Sequence, residues 1–212
     1  MSAAEDALTA TLTERIAAHD RAGAVSAALD AVRADSVTIP SLYDLLAQLL
    51  VDVGARWQSG ETEVWEEHFA TAVVRTIVEA CHPLAAERAP APISRTVILA
   101  TPPEEYHDLG LRMLADRFTL AGWTAHVLGA SLPAEELIMA VTELGADAVV
   151  LSAYTHFHRL ALRPYVDELL AAHPSVRVWV GGAAFALEHN GWPDDMMLDP
   201  DAVPDLGGSA GA

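Results

Sequence analysis

The chain has 212 residues, with 30 acidic against 12 Lys and Arg side chains and a formal net charge of −18. Hydrophobic residues make up 52% of it, which favours a folded chain with a sizeable core over disorder. Because phosphate groups are bound by clustered cations, the charge argues against direct binding of nucleic acid or of an anionic membrane. One cysteine excludes a framework of intrachain disulfides. We expect no signal peptide, no membrane span and a cytoplasmic location.

The first part of the chain, residues 1–88, carries apolar side chains at helical spacing. Leu8, Leu12 and Ile16 recur at intervals close to 3.6 residues, and a similar stripe follows Pro40. The pattern predicts four helices: residues 4–22, residues 25–32 after a break at Gly23, a stretch that begins near Pro40, and residues 63–87 with Thr62 as N-cap. Four short amphipathic helices predict a four-helix bundle as the N-terminal domain.

Residues 89–94 contain two prolines and are predicted to form a linker. Over residues 95–206, short apolar runs alternate with helical patterns, and the runs predict strands at residues 96–100, 125–128, 148–151 and 176–180. This alternation predicts an α/β domain with an open parallel sheet of the flavodoxin-like or Rossmann-like type. Such sheets bind ligands beyond the carboxyl ends of their strands. Residues 207–212 are expected to be a flexible tail.

The loop after the first predicted strand carries Glu105, His107, Asp108 and Gly110, and it lacks the Gly-rich pattern of a phosphate loop. A carboxylate two residues before a histidine can hold one ring N–H, so that the other ring nitrogen faces outward as a metal ligand. Gly110 would let the first helical turn lie close to a flat ligand. Taken alone, this short pattern is more often a surface loop than a metal site.

Polar residues follow one further predicted strand, and glycines follow another. Ser152 and Tyr154 follow the third strand, and Gly181 and Gly182 follow the fourth. The carboxyl ends of parallel strands meet at one edge of a sheet, so the Ser152 hydroxyl is expected in the same crevice as His107. The two glycines leave room there for a planar group.

Together these residues resemble the D-x-H-x-x-G, S-x-L or S-x-T, and G-G signature of the cobalamin (B12)-binding domain family. The resemblance implies that His107 is the protein ligand of cobalt on the lower face and displaces the dimethylbenzimidazole tail of the cofactor. It also implies that the displaced tail inserts past Ser152, Gly181 and Gly182. Glu105 stands where Asp is commoner, and Tyr154 is bulkier than the usual Leu or Thr.

The helical half carries a second pattern, Trp57 followed after nine residues by Glu67-His68. Val64, Glu67 and His68 share one face of the predicted fourth helix. Such residues are usually a core Trp and a solvated pair. In a bundle before a cobalamin domain, however, the pattern resembles the CarH-like B12-dependent photoreceptor family. That resemblance implies that adenosylcobalamin is the cofactor, that Trp57 covers its adenosyl group, and that Val64, Glu67 and His68 line the same pocket.

Two departures from that family affect the expected function. Its repressors carry an N-terminal helix-turn-helix domain, which we expect this chain to lack, so that the output runs through a homo-oligomer or a regulatory protein partner. The residue after the Trp is a His in the best-known photoreceptors of that family, where it can take the upper cobalt position after light. Here it is Gln58, and an amide is a weaker cobalt ligand than imidazole. His68 or a rearranged neighbour would have to substitute.

The sequence leaves alternatives open. His156 and His158 alternate like metal ligands, but without an evident third ligand they are interpreted as loop or helix-start residues at the cofactor rim. A light or cofactor sensor that is not an enzyme is the preferred function. A corrinoid carrier of a methyltransferase system shares the predicted layout and is the main alternative. A flavodoxin-like module that binds another small molecule, or none, is the third.

Overall fold

The computed structural model describes residues 2–186, 191–199 and 203. The chain divides into two compact units, Met1–Glu87 and Arg88–Ala212. Unit 1 contains four helices, α1 (Ala3–Ala17), α2 (Arg21–Arg33), α3 (Ile39–Gln58) and α4 (Val64–Arg88). Its core is built from the predicted apolar stripes, with Leu12 and Leu42 among the fully buried side chains. The predicted helical bundle is confirmed. Residues 207–212, predicted to form a tail, lie outside the described residues.

The boundary between α1 and α2 differs from the prediction. The first helix ends at Ala17, and His19 takes a left-handed φ of +56°. The Asp20 side chain then caps α2 by accepting a hydrogen bond of 2.8 Å from the Gly23 N–H. A Cβ at Gly23 would lie 2.1 Å from Asp20 Oδ2. Gly23 is therefore the residue that fits the capping side chain, and it does not break the helix.

The start of α4 also differs from the prediction by one residue. The Glu63 N–H donates to Glu66 Oε2 over 2.8 Å, so the first turn is closed by a glutamate. Thr62, the predicted cap, has a buried Oγ1 with no hydrogen-bond partner in the described part of the chain. Pro83 lies inside α4 and does not shorten it.

Unit 2 is built on four parallel strands, β1 (Thr96–Ala100), β2 (Thr124–Gly129), β3 (Ala148–Ser152) and β4 (Arg177–Gly181). They alternate with α5 (Leu109–Leu120), α6 (Ala134–Leu144) and α7 (His156–Ala172). The strand order is β2-β1-β3-β4, and Val180 also bridges in parallel to Met197. The alternation predicted from the sequence is confirmed, and α7 begins at His156.

Two apolar cores cover the two faces of the sheet. One joins the strands to Leu137 of α6 and Leu162 of α7, and the other joins them to Leu114 and Phe118 of α5. Helices on both faces explain why β1 and β3 are continuous apolar runs. The chain leaves β1 towards one side of the sheet and β3 towards the other, so a crevice opens beyond their carboxyl ends. None of the helices in the described segments is long and apolar enough to cross a membrane.

Candidate cofactor site

The carboxylate of Glu105 is the centre of the site beyond β1. Its side chain has no exposed surface. Oε1 accepts a hydrogen bond of 3.0 Å from the His107 N–H and lies 2.6 Å from His107 Nδ1. Oε2 accepts a hydrogen bond of 2.8 Å from the backbone N–H of Tyr154, which follows β3. The buried carboxylate therefore ties the loop after β1 to the loop after β3.

Opposing influences set the pKa of Glu105. Burial raises the pKa of this carboxyl, while the N–H groups of Tyr154 and His107 and the His107 ring lower it. The net direction is a pKa below the ordinary value of 4.5, because these donors together outweigh desolvation. Glu105 is therefore ionised near neutral pH, and it acts as an acceptor on both oxygens.

His107 is oriented by this carboxylate. Since an ionised carboxylate only accepts hydrogen bonds, the contact of 2.6 Å places a ring proton on Nδ1, so that in the neutral imidazole Nε2 is the nitrogen with the lone pair. The Tyr154 ring stacks on the imidazole with centroids 4.1 Å apart. The His107 side chain is 57% exposed, and its Nε2 has no hydrogen-bond partner among residues 2–186, 191–199 and 203. One imidazole nitrogen thus faces outward in a fixed tautomer.

The loop that carries these residues is held by hydrogen bonds to Thr101 and Ser131. The Thr101 hydroxyl donates to the Glu105 carbonyl over 2.5 Å and accepts a hydrogen bond from the Ser131 N–H. The Ser131 N–H also contacts the Glu105 carbonyl, at 3.0 Å. Glu104 takes a left-handed φ of +65° between these anchors. The sequence showed no signal for this support beyond a Thr at the end of β1.

A second histidine, His158, reaches the same carboxylate. Its Nδ1 lies 2.8 Å from Glu105 Oε2, and the side chain is 14% exposed. The sequence reading placed this residue at the rim and missed its contact with Glu105. The signal that could have found it is Thr155, whose side chain caps α7 by accepting from the His158 N–H, so that the helix begins at His156. His156 instead contacts Arg159, with 2.6 Å between Nδ1 and the guanidinium.

Asp108 and Gly110 lie at the start of α5. Asp108 is nearly buried, and Oδ2 accepts hydrogen bonds from the Arg112 guanidinium at 3.0 and 2.9 Å. Asp108 therefore fixes the first turn of α5 through Arg112 and not through a capping bond of its own. No atom would lie within 4 Å of a Cβ at Gly110. The space beside this glycine is open.

Ser152, Gly181 and Gly182 lie side by side at the ends of β3 and β4. Ser152 pairs with Gly181 across the strands. Gly182 has φ +100° and ψ 175°, and a Cβ there would lie 2.6 Å from Ser152 Oγ and 2.5 Å from the Ala153 carbonyl oxygen. The absence of a side chain at Gly182 therefore leaves the Ser152 hydroxyl uncovered on that side.

Unit 1 holds the remaining predicted residues at the connection between α3 and α4. Trp57 is 46% exposed near the end of α3, and Val64 is 50% exposed at the start of α4. Trp57 is therefore no core residue. Neighbouring Trp65 is also exposed and packs on the His19 ring, with centroids 5.1 Å apart. Three large apolar side chains of unit 1, Trp57, Val64 and Trp65, are thus exposed.

Glu67 and His68 form a pair that matches the one after β1. His68 Nδ1 lies 2.6 Å from Glu67 Oε2, and the His68 side chain is 75% exposed. Glu67 Oε1 accepts a hydrogen bond of 2.8 Å from the Thr71 hydroxyl. The carboxylate is thus held from α4 and in turn orients the imidazole, which leaves Nε2 of His68 facing outward.

Sequence comparison decides the family. A model described as a B12 binding domain matches residues 95–197, and a second model with the same description matches residues 8–82. The chain belongs to the B12-binding domain family. The two matches together cover the sheet unit with His107 and the helical unit with Trp57.

Similar proteins include two repressors from Myxococcus xanthus. The HTH-type transcriptional repressor CarH is 38% identical over 162 residues, which is 76% of this chain and 52% of CarH. The HTH-type transcriptional repressor CarA is 30% identical over 144 residues, 68% of this chain and 47% of CarA. The chain spans about half the length of these curated relatives. The monomethylamine corrinoid protein of Methanosarcina barkeri has the same fold, with a TM-score of 0.71 over 82% of this chain and 84% of that one, at 19% identity.

The residues beyond the sheet fit a cobalamin. A corrin brings four equatorial nitrogens of its own, so the protein needs to supply one axial donor, and imidazole nitrogen is a suitable ligand for a transition metal of this kind. His107 offers one such nitrogen in a fixed tautomer, with a carboxylate on its other side. Tyr106 and Tyr154 add exposed aromatic rings next to it, which suit the edge of a flat macrocycle.

Proposed function

We propose that the chain is an adenosylcobalamin-binding light or cofactor sensor. The observation that carries this proposal is the buried Glu105 carboxylate, which holds Nδ1 of His107 and leaves Nε2 facing outward. Membership of the B12-binding family and the similarity to CarH support it. His107 would hold the cobalt on the lower face, and Ser152, Gly181 and Gly182 would line the space for the cofactor's benzimidazole tail.

Residues of unit 1 would contact the upper face of the cofactor in this proposal. Adenosylcobalamin supplies a cobalt–carbon bond that visible light breaks. Trp57 and Val64 offer apolar surface that suits a bulky adenosyl group, and Glu67 and His68 offer polar contacts to it. Loss of that group would leave Trp57 and Val64 without the surface they would cover, and their surroundings would repack. Packed side chains have discrete arrangements, so such a loss can bias a distant interface.

The output of the sensor would be an interface with another protein. The net charge of −18 argues against a nucleic-acid surface on this chain. A second copy of the chain or a regulatory protein is therefore the proposed partner. Its affinity for the chain would differ between the dark state and the lit state by the free energy that the repacking of unit 1 provides.

The test is to add adenosylcobalamin to the purified protein in the dark and to record its visible spectrum and its elution volume before and after green light. We expect binding in the dark and a change of both after light. If light changes the spectrum but changes neither the elution volume of the protein nor that of its complex with a partner, the protein binds the cofactor but lacks the proposed output. A protein that binds no cobalamin would refute the proposal and favour a module for another ligand.

A corrinoid carrier for methyl transfer is the second candidate. The fold similarity to the monomethylamine corrinoid protein is the observation in its favour. The exposed Trp57 argues for the sensor, because a methyl group needs no large apolar cover. Methylcobalamin binding that is clearly tighter than adenosylcobalamin binding, with demethylation by a partner enzyme, would decide for the carrier.

A further inference from the structure

The second oxygen of Glu105 has a side-chain partner besides the backbone of Tyr154. Nδ1 of His158 lies 2.8 Å from Oε2, while Nδ1 of His107 lies 2.6 Å from Oε1. One imidazole from the loop after β1 and one from α7 therefore contact the two oxygens of the same carboxylate. The carboxylate has no exposed surface, so it cannot replace a lost donor with bulk water at no cost.

The environment of His158 assigns the proton of its ring. Nδ1 lies 2.8 Å from Glu105 Oε2 and 2.9 Å from the Thr155 hydroxyl oxygen. A carboxylate has only lone pairs to offer, so an unprotonated Nδ1 would oppose one lone pair with another. A hydrogen on Nδ1 of His158 therefore lies within reach of both the Glu105 carboxylate and the Thr155 hydroxyl oxygen.

The position of His158 is fixed by the fold. Thr155 is the N-cap of α7 and accepts a hydrogen bond of 3.3 Å from the His158 N–H. The Phe157 ring meets the His158 ring edge-on at 5.5 Å, and the His158 side chain is largely buried. The imidazole is held by the helix start and is not a mobile surface group.

We propose that His158 is a positioning residue for the cobalt ligand. By holding Oε2, it prevents the carboxylate from rotating, which keeps Oε1 aimed at Nδ1 of His107 and keeps Nε2 of His107 directed at the metal. The proposal rests on His107 being the lower ligand, and it adds a third member, contributed by α7, to the Glu105–His107 pair.

The expected effect is a shift between two competing lower ligands. Loss of a group that orients a metal ligand typically costs 10- to 100-fold in metal affinity. His158 acts one step further from the metal, so we expect the lower end of that range. The ratio of cobalt bound by the cofactor's own benzimidazole to cobalt bound by His107 should rise roughly 10-fold when His158 loses its donor.

The test compares His158→Leu with His158→Asn. The two side chains have nearly the same shape, but the Asn amide carries an N–H close to the position of Nδ1, whereas Leu has no donor. Full-length protein is grown with ¹⁵N-labelled histidine, loaded with cob(II)alamin in the dark and measured by electron paramagnetic resonance. A histidine ligand splits the cobalt signal into doublets, and the unlabelled benzimidazole of the cofactor splits it into triplets.

The expected result is a doublet for the unchanged protein and for His158→Asn, and a mixture with an increased triplet fraction for His158→Leu. His156→Leu is the matched control, because His156 lies on the same helical turn and contacts Arg159 instead of Glu105. An unchanged doublet in His158→Leu would overturn this inference and leave the proposed function intact. A pure triplet in the unchanged protein would overturn the proposed cobalt ligand, and with it this inference.

A second no-donor variant covers the case in which His158→Leu does not fold. His158→Phe keeps a ring of similar size without a nitrogen, and circular dichroism establishes whether either variant is folded. A triplet fraction that rises in His158→Phe and is reversed in His158→Asn supports the proposal. Equal doublets in all folded variants refute it.

Discussion

Replacing Gly182 by alanine tests the packing at the ends of β3 and β4. The residue has φ +100° and ψ 175°, a region that is almost restricted to glycine. A Cβ would lie 2.5 Å from the Ala153 carbonyl oxygen and 2.6 Å from Ser152 Oγ. The carbonyl cannot simply move away, because it accepts a hydrogen bond of 3.1 Å from the Ala184 N–H. Both the backbone and the contacts therefore oppose the substitution.

The magnitude follows from these two costs. A non-glycine residue in this backbone region costs about 1–3 kcal/mol. Forcing a methyl group into an occupied space costs a further amount of about 1–3 kcal/mol. We therefore expect Gly182→Ala to lower the free energy of unfolding by about 4 kcal/mol, the midpoint of the two costs combined. For a protein of this size the shift in Tm would be roughly 8–16 °C.

The assay is thermal unfolding of the full-length protein without cofactor, followed by circular dichroism. Gly145→Ala is the matched control: its φ is +60°, but no atom lies within 4 Å of the added Cβ, so it isolates the backbone cost of about 1–2 kcal/mol. Adding Ser152→Ala to Gly182→Ala should recover part of the loss, since one of the two contacts is removed. A Gly182→Ala variant no less stable than Gly145→Ala would refute the reasoning.

Four further predictions concern the site. Because the pKa of Glu105 is lowered on folding, this carboxylate stabilises the fold above the ordinary pKa of 4.5 and loses that effect as the pH falls through the lower folded pKa. The free energy of unfolding in urea, measured between pH 6 and pH 3, should therefore depend less steeply on pH in Glu105→Gln than in the unchanged protein. Equal slopes in the two proteins would contradict this. Gly110→Ala should leave thermal stability equal or higher, because its Cβ meets open space, while cobalamin affinity in a binding titration falls. Trp57→Ala should reduce the preference for adenosylcobalamin over methylcobalamin by roughly 10-fold in the same titration, and an unchanged preference would argue against its role as a cover. His68→Ala should alter the spectrum of the lit state, whereas Gln58→Ala should not, because imidazole binds cobalt better than an amide does.

The sequence predicts the fold well where local patterns dominate. The apolar runs of β1 and β3, which are buried on both faces, and the helical stripe behind Pro40 are evident without a structure. Boundaries were wrong where a side chain decided them. Asp20 caps α2 and so accommodates Gly23, and Glu66 closes the start of α4 in place of Thr62. Such capping choices depend on geometry that periodicity does not contain.

The candidate site was predictable to the extent that its partners are close in sequence. Glu105 and His107 are two residues apart, so their pairing follows from the loop itself. His158 is far along the chain, and only the sheet brings it to Glu105. For Trp57, periodicity alone left a core residue as the usual interpretation, and only the family resemblance suggested an uncovered side chain, because a helical stripe does not reveal which apolar side chains the rest of the bundle leaves uncovered.

A cobalt-edge anomalous difference map, from crystals grown with adenosylcobalamin in the dark, would locate the metal directly. The account predicts a cobalt peak within bonding distance of Nε2 of His107, with the benzimidazole removed from the metal. A cobalt peak elsewhere, or a cobalt still bound by its own benzimidazole, would contradict it.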